Sequence, residues 1–360
     1  MSENTRETPE TPTLDPATEN PVTADRSADA LPLIEMAMAF YRSRVLMSAL
    51  ELDLFSVLAT EGPADRTAIE RKAGLHSRAS GDFLDALVAL GLLERSADGY
   101  ANSALADRFL VRGRGRYVGG FAEMGGASLY PLWMKLTDLL RTGEPQIPPG
   151  GNFFEGLYQR PEAARKFMDA MDTFNDEIAE VLSSAVDWSG YRKLVDVGGA
   201  RGDLSVRLTE RHPDLTAVCF DLPQIEPLFT ERVEKSDIAG RVALRGGDFV
   251  TDALPDADVY VFGHILHGRN LEQREELAHR AFAGLRPGGT LFVFDRMIDD
   301  ARCEKPLSML GSLGMALVSP IGSEYTVADC RSWLEKAGFE AVTERPLAAT
   351  DTLVVARKPA

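Results

Sequence analysis

The side chains best suited to chemistry stand where apolar runs end. The run VYVFGHILH at 259–267 closes on His264 and His267, three positions apart. TLFVFD closes on Asp295, and Glu324 stands in the segment GSEYT at 322–326. Two imidazoles three apart could suggest a metal pair. At a strand end they are expected on opposite faces of the sheet, and HxxH alone is a weak signal, so no metal is expected. Proton transfer suits the same residues better. A phenol has a pKa of about 10, so a base must take its proton as the oxygen attacks an electrophile. A neutral imidazole does this near neutral pH, and a neighbouring carboxylate fixes its tautomer and stabilises the cation formed.

An electrophile needs a cradle, and KLVDVGGARGDLS at 193–205 has the composition of one. Leu194, Val195 and Val197 form a buried strand that ends in Gly198 and Gly199, and a helix follows Gly202. Glycines between strand and helix let backbone amides approach a ligand at the helix N-terminus. The dinucleotide fingerprint fails, because its later glycine places fall on Ala200 and Asp203. The P-loop fails for want of a Lys-Ser or Lys-Thr pair. What remains is Asp196 within the strand followed by Gly198, Ala200 and Gly202 at alternate positions. This resembles the glycine-rich first motif of class I S-adenosylmethionine (SAM) methyltransferases, with Ala200 in place of the usual middle glycine. A tight turn of another α/β protein could use glycines alike, so the remaining motifs decide.

The elements that must position these groups follow from periodicity. From Lys193 onward the chain alternates strand and helix, the pattern of a doubly wound α/β sheet. Strands are expected at 193–197, 217–221, 242–246, 258–263 and 290–294. Segments near 340–346 and 351–357 have only a short link between them and should pair as a hairpin, giving an antiparallel strand. Ligands of open α/β sheets bind beyond the carboxyl ends of the strands. There Asp221 can accept from ribose hydroxyls, while Asp248 and Phe249 can hold an adenine amino group and ring face.

Four sections are expected: a disordered tail at 1–30, a winged-helix-like domain at 31–115, a helical linker at 116–190 and a catalytic domain at 191–360. The tail carries seven acids and two arginines without apolar periodicity. Residues 31–49 are apolar on more than one helical side, which suits burial against a second subunit or within the same domain. Residues 60–115 read as helix, turn, helix and a hairpin turning at Asp98-Gly99. A winged helix raises the possibility of a DNA-binding regulator. Its second helix, however, carries Asp82 and Asp85 and no basic residue beyond Arg78. The linker is dense in aromatic and Met residues, of which Trp133, Phe154, Phe167 and Met171 are candidates to roof a flat apolar ligand, meeting Met309, Gly314 and Met315.

Together VDVGGARG, FDLP (220–223), GDF (247–249), HILH (264–267), RPGG (286–289) and GSEYT resemble the SAM-dependent O-methyltransferases. Those enzymes join a winged-helix-like dimerisation domain to a class I catalytic domain. The likeness covers about residues 31–357 and is nearest the bacterial branch acting on aromatic natural products, with plant caffeate-type and hydroxyindole-type enzymes as wider relatives. It implies that Gly198, Asp221, Asp248, Phe249, Gly263 and His264 lie about SAM. It also implies that His267 is the general base between Asp295 and Glu324, that the acceptor is an aromatic hydroxyl, and that the chain is a homodimer. One departure stands out. The family usually follows its histidine with Asp-Trp, and this chain has Gly268-Arg269. Arg269 would favour a neutral His267 and could pair with a carboxylated phenol. The departure also leaves room for C-methylation, or for non-methylating hydroxylation or decarboxylation with SAM retained.

Composition agrees with that assignment. The 360 residues carry 39 basic and 55 acidic groups, a net charge of −16. Nucleic acid and anionic membrane both need a basic footprint, so neither is expected as a partner. Cys219, Cys303 and Cys330 are odd in number and widely spaced, which fits a reducing cytoplasm and not a disulfide framework.

Overall fold

The computed structural model describes residues 21–114, 117–147, 153–348 and 350–360. Helices α1 (Pro21–Ala37) and α2 (Ala39–Glu51) lead the chain, so helix begins inside the stretch whose composition reads as a tail. Residues 1–20 of that tail lie outside the described residues. Next come α3 (Leu54–Glu61), α4 (Arg66–Ala73), α5 (Ser77–Ala89) and the hairpin β1 (Leu93–Ser96) and β2 (Gly99–Asn102), closed by α6 (Ala104–Phe109). Ala49, Leu50, Leu54, Phe55, Ile69, Leu84 and Leu87 form the core of this unit. The hairpin is the expected wing, paired from Leu93↔Asn102 to Ser96↔Gly99. On α5, Asp85 accepts from Arg95 at 2.6 Å and from the Tyr100 hydroxyl at 2.8 Å, so its acid face is tied to the wing.

A helical connector follows: α7 (Gly119–Met124), α8 (Tyr130–Trp133), α9 (Leu136–Thr142), α10 (Phe153–Tyr158), α11 (Pro161–Met171) and α12 (Asn175–Ala185). Most of these are one to three turns long and gain stability only by packing. Leu157, Ala164 and Met168 bury against Ile225 and Leu228 of the last domain, with Phe167 and Ala200 at the edge.

The last domain is a seven-stranded sheet. In chain order it has β3 (Lys193–Val197), α13 (Asp203–Arg211), β4 (Thr216–Asp221), α14 (Glu226–Glu234), β5 (Val242–Gly246), β6 (Ala257–Gly263), α15 (Leu271–Gly284), β7 (Leu285–Asp295), α16 (Pro306–Val318), α17 (Val327–Ala337), β8 (Glu340–Pro346) and β9 (Thr352–Arg357). Spatial order is β5-β4-β3-β6-β7-β9-β8, and β9 runs antiparallel to both neighbours. The order reverses between β3 and β6, the place where open sheets leave a crevice. The sheet is apolar on both faces, as a sheet covered by helices must be: Leu194, Val259, Val261 and Phe292 pack to one side, Val195, Tyr260, Phe262 and Leu291 to the other. All five expected parallel strands, and the terminal hairpin, form where periodicity put them. Cys219 and Cys330 are buried, Cys303 is exposed, and all three are free thiols.

Candidate active site

The glycine elbow lies at the carboxyl end of β3. Gly198 has φ +68°, and a Cβ there would come 2.3 Å from Ile265 and 3.3 Å from Phe249, so only glycine fits. Ala200, where the family has glycine, also sits at positive φ, +52°. Its N–H donates to Asp221 Oδ2 at 2.8 Å, and Leu222 N–H donates to Oδ1 at 2.7 Å. The Tyr158 hydroxyl is a third donor to this carboxylate. Burial raises the Asp221 pKa to about 6, and the three donors hold it from going further. Asp196 is buried too and accepts from Ser205 Oγ at 2.9 Å; burial raises it to about 7. Arg201 leaves the elbow toward α11, bonding Asp172 at 2.5 Å and Asp169 at 2.8 Å. Thus the cofactor turn is tied to the helix that carries Phe167 and Met171.

Beyond β5, Asp248 Oδ1 accepts from Val250 N–H at 2.8 Å and stays part-exposed. The Arg269 guanidinium lies over the ring of Phe249, 5.1 Å from its centroid. Its Nε is buried with no hydrogen-bond partner among the described residues, and burial lowers its pKa against the pull of Asp248. Arg269 therefore stands with Phe249 and Asp248, at the crevice wall. That corrects the expectation that it would set the charge of His267.

Two loops bring the trio together. The first carries His267 on a single helical turn at Leu266–Gly268 and ends at a capping box, Asn270 with Gln273, that starts α15. The second carries Glu324 and ends at another, Thr326 with Asp329, that starts α17. Such boxes satisfy the first free N–H groups of a helix and fix the entering chain. The loops are sewn together by Ser323 N–H to His267 C=O at 2.8 Å and by buried Arg274, which reaches Leu266 C=O at 2.8 Å and Ser323 C=O at 2.5 Å. Its guanidinium lies over Tyr325 and Trp333.

His267 Nδ1 is 3.0 Å from Glu324 Oε1 and 3.5 Å from Asp295 Oδ1. Both carboxylates are buried, and Tyr325 donates to Asp295 Oδ2 at 2.5 Å. Asp295 Oδ1 and Glu324 Oε2 have no hydrogen-bond partner among the described residues. Burial alone would lower the imidazole's pKa, but Asp295 and the bonded Glu324 outweigh it and raise it to about 9, with Arg296 pulling the other way. The expected neutral imidazole is therefore a cation at neutral pH in the free protein. Two close acids hold the proton on a ring that would otherwise be largely neutral at that pH.

Gly263 ends β6 so tightly that a Cβ would meet the Phe294 ring at 2.3 Å. His264 then takes φ +55°, which breaks the alternation of the strand. The two histidines do not face opposite sides: their ring centroids are 5.6 Å apart, and with Asp295 they offer ligand atoms within 4.8 Å of one another. His264 Nε2 lies 3.2 Å from Asp351 Oδ2, on the link between β8 and β9.

On the acceptor side, Trp133 approaches Gly314 to 3.8 Å from where a Cβ would stand, so these two candidates meet. Met309 is half-buried on the same helix, and Phe167 packs at the edge of the cluster that includes Ala200. Met171 is half-buried at the end of α11. The side chain of Phe154 lies outside the described residues. Sequence reasoning missed Tyr158, Arg274, Arg296 and Tyr325. Only Tyr325 carried a signal, through the GSEYT segment.

A glycine elbow at the switch point of a doubly wound sheet, with acids beyond β4 and β5, defines a class I methyltransferase domain. Residues 133–340 match the model of the O-methyltransferase domain, and residues 34–112 that of the O-methyltransferase dimerisation domain. The chain belongs to this O-methyltransferase family. It is similar to the tetracenomycin polyketide synthesis 8-O-methyl transferase TcmO of Streptomyces glaucescens, 50% identical over 91% of this chain and 96% of that one. It is 38% identical to the N,N-dimethyltransferase OxyT of Streptomyces rimosus, over 92% of this chain and 97% of that one. The crystal structure of human N-acetylserotonin methyltransferase in complex with SAM superposes with a TM-score of 0.84 at 26% identity, covering 96% and 99% of the two chains.

Proposed function

We propose that this chain methylates a hydroxyl of an aromatic small molecule, an intermediate of natural-product biosynthesis, with SAM as donor and His267 as general base. SAM, when bound, supplies an electrophilic methyl group on a sulfonium. The residues of the crevice suit it. Gly198 leaves the space a Cβ would fill, Asp221 is a buried carboxylate for ribose hydroxyls, and Asp248, Phe249 and Arg269 bound the adenine end. Gly263 and His264 close the floor beyond β6.

The observation that carries the reading is the trio itself: an imidazole bonded to Glu324 at 3.0 Å, with Asp295 at 3.5 Å, two residues from the Ile265 that touches the elbow. Because Nδ1 is engaged by Glu324, Nε2 is the nitrogen left for the acceptor. His267 takes the hydroxyl proton there as the oxygen attacks, and the two carboxylates stabilise the imidazolium. The remaining task is alignment of oxygen and methyl, which roof residues Trp133, Phe167, Met171, Met309 and Gly314 serve by holding a flat ring.

We further read the chain as a cytoplasmic homodimer joined through α1 and α2. Leu33, Ile34, Met36 and Phe40 are exposed in the single chain, more apolar surface than one helix pair normally leaves to water. Among the described residues, no helix is long and apolar enough to cross a membrane. A second reading moves the methyl to nitrogen, favoured by the likeness to OxyT. Mass analysis of products formed with isotopically labelled SAM decides between them: label on oxygen supports the proposal, and label on nitrogen or carbon refutes it.

A further inference from the structure

Arg296 follows Asp295 at the end of β7 and plays no part in the trio, yet its guanidinium sits beside it. It lies over the ring of Phe121, 5.5 Å from the centroid. Its Cδ and Nη1 come within 3.6 and 3.8 Å of where a Gly311 Cβ would stand, and Glu324 Oε1 is 3.9 Å from the same point. It is close enough to His267 to work against the imidazolium. Despite two neighbouring acids, it makes no hydrogen bond and no ion pair within 4.0 Å among the described residues. Phe121, Gly311 and Glu324 come from α7, α16 and the loop before α17, so the charge is held at the wall those elements share.

A half-buried guanidinium without an anion is costly, because it has lost part of its water and gained no partner. Asp295 and Glu324 are turned to His267, so an anionic oxygen group on the acceptor is the partner that would restore it, and the planar fork of Arg matches a carboxylate through two parallel bonds.

We infer that Arg296 anchors the acceptor by an anionic oxygen group, so that the preferred acceptor is a phenol bearing a carboxylate on the same ring system. This rests on the methyltransferase reading above. The carboxylate is held on the α7 and α16 side while the hydroxyl points at His267 Nε2. The role that sequence gave to Arg269 thus passes to the arginine that follows β7.

The test uses the full chain saturated with S-adenosylhomocysteine (SAH), and 3-hydroxy-2-naphthoate and its methyl ester as probes, in calorimetry. The wild type should bind the acid at least tenfold more tightly than the ester. Arg296→Gln should remove that preference, Arg296→Lys should keep part of it, and the Kd for SAH should stay within threefold in both. The proposal is overturned if the wild type binds neither probe or binds both alike, or if Arg296→Gln still prefers the acid. Failure of the wild type to take up SAH would instead sink the methyltransferase reading on which the proposal stands.

Discussion

The proposed base, His267, must be neutral to act, yet two acids keep its proton on until about pH 9. For a group whose folded pKa is raised, the neutral form grows as pH rises, so kcat/KM for SAM, which reports the free protein, should climb about tenfold per pH unit until that value. Glu324→Gln removes one raising charge, and the rising limb should shift to lower pH; an unmoved limb would mean that another group titrates. His267→Ala should cut turnover by about 10²–10⁴-fold with SAH binding nearly unchanged, which calorimetry beside rate measurements will check. Arg269 poses a separate question. If it covers adenine, Arg269→Ala should weaken SAH by about 2–30-fold, the range a cation–π contact of about 0.5–2 kcal/mol gives, and leave the acceptor KM alone. The reverse pattern would return Arg269 to the acceptor.

The loops of His267 and Glu324 hold their shape because capping boxes and Arg274 fix both ends. Arg274→Met leaves two carbonyls without their donor, at about 1–3 kcal/mol each. The expected outcome is a Tm lower by several degrees and a kcat that falls more than SAH affinity does. A fall in Tm alone would make Arg274 a packing residue only. These elements also mark what could be read from sequence. The strands were legible because runs such as LVDV and VYVFG bury both faces and end in glycine. That His267, Asp295 and Glu324 meet was legible because the first two stand at strand ends and the third lies in the GSEYT segment of the resemblance. Arg274, Tyr158 and Arg296 were not, since a lone Arg or Tyr gives no sign of its partner, and Ser323, Asp221 and Phe121 lie 49, 63 and 175 positions away from them and meet them only in the fold. His264 was misplaced for another reason: alternation holds only inside a strand, and Gly263 ends it.

On the proposed reading the molecule divides three tasks among separate parts: association through α1 and α2, roofing by the connector, chemistry on the sheet. If association uses the exposed apolar face, Leu33→Asp with Met36→Asp should yield a monomer by light scattering, while an unchanged dimer would move the interface elsewhere. The account's central claim is narrower, that a sulfonium and the His267 imidazole share one crevice. SAM and SAH differ there by one positive charge, and a unit charge about 5 Å away at an effective dielectric of about 20 is worth about 3 kcal/mol, or about two pH units. An NMR titration of histidine ring signals reads this without any acceptor. His267 should titrate near 9 in the free protein and distinctly lower with SAM than with SAH. Identical titration with the two ligands, or none near 9 at the outset, would contradict the account.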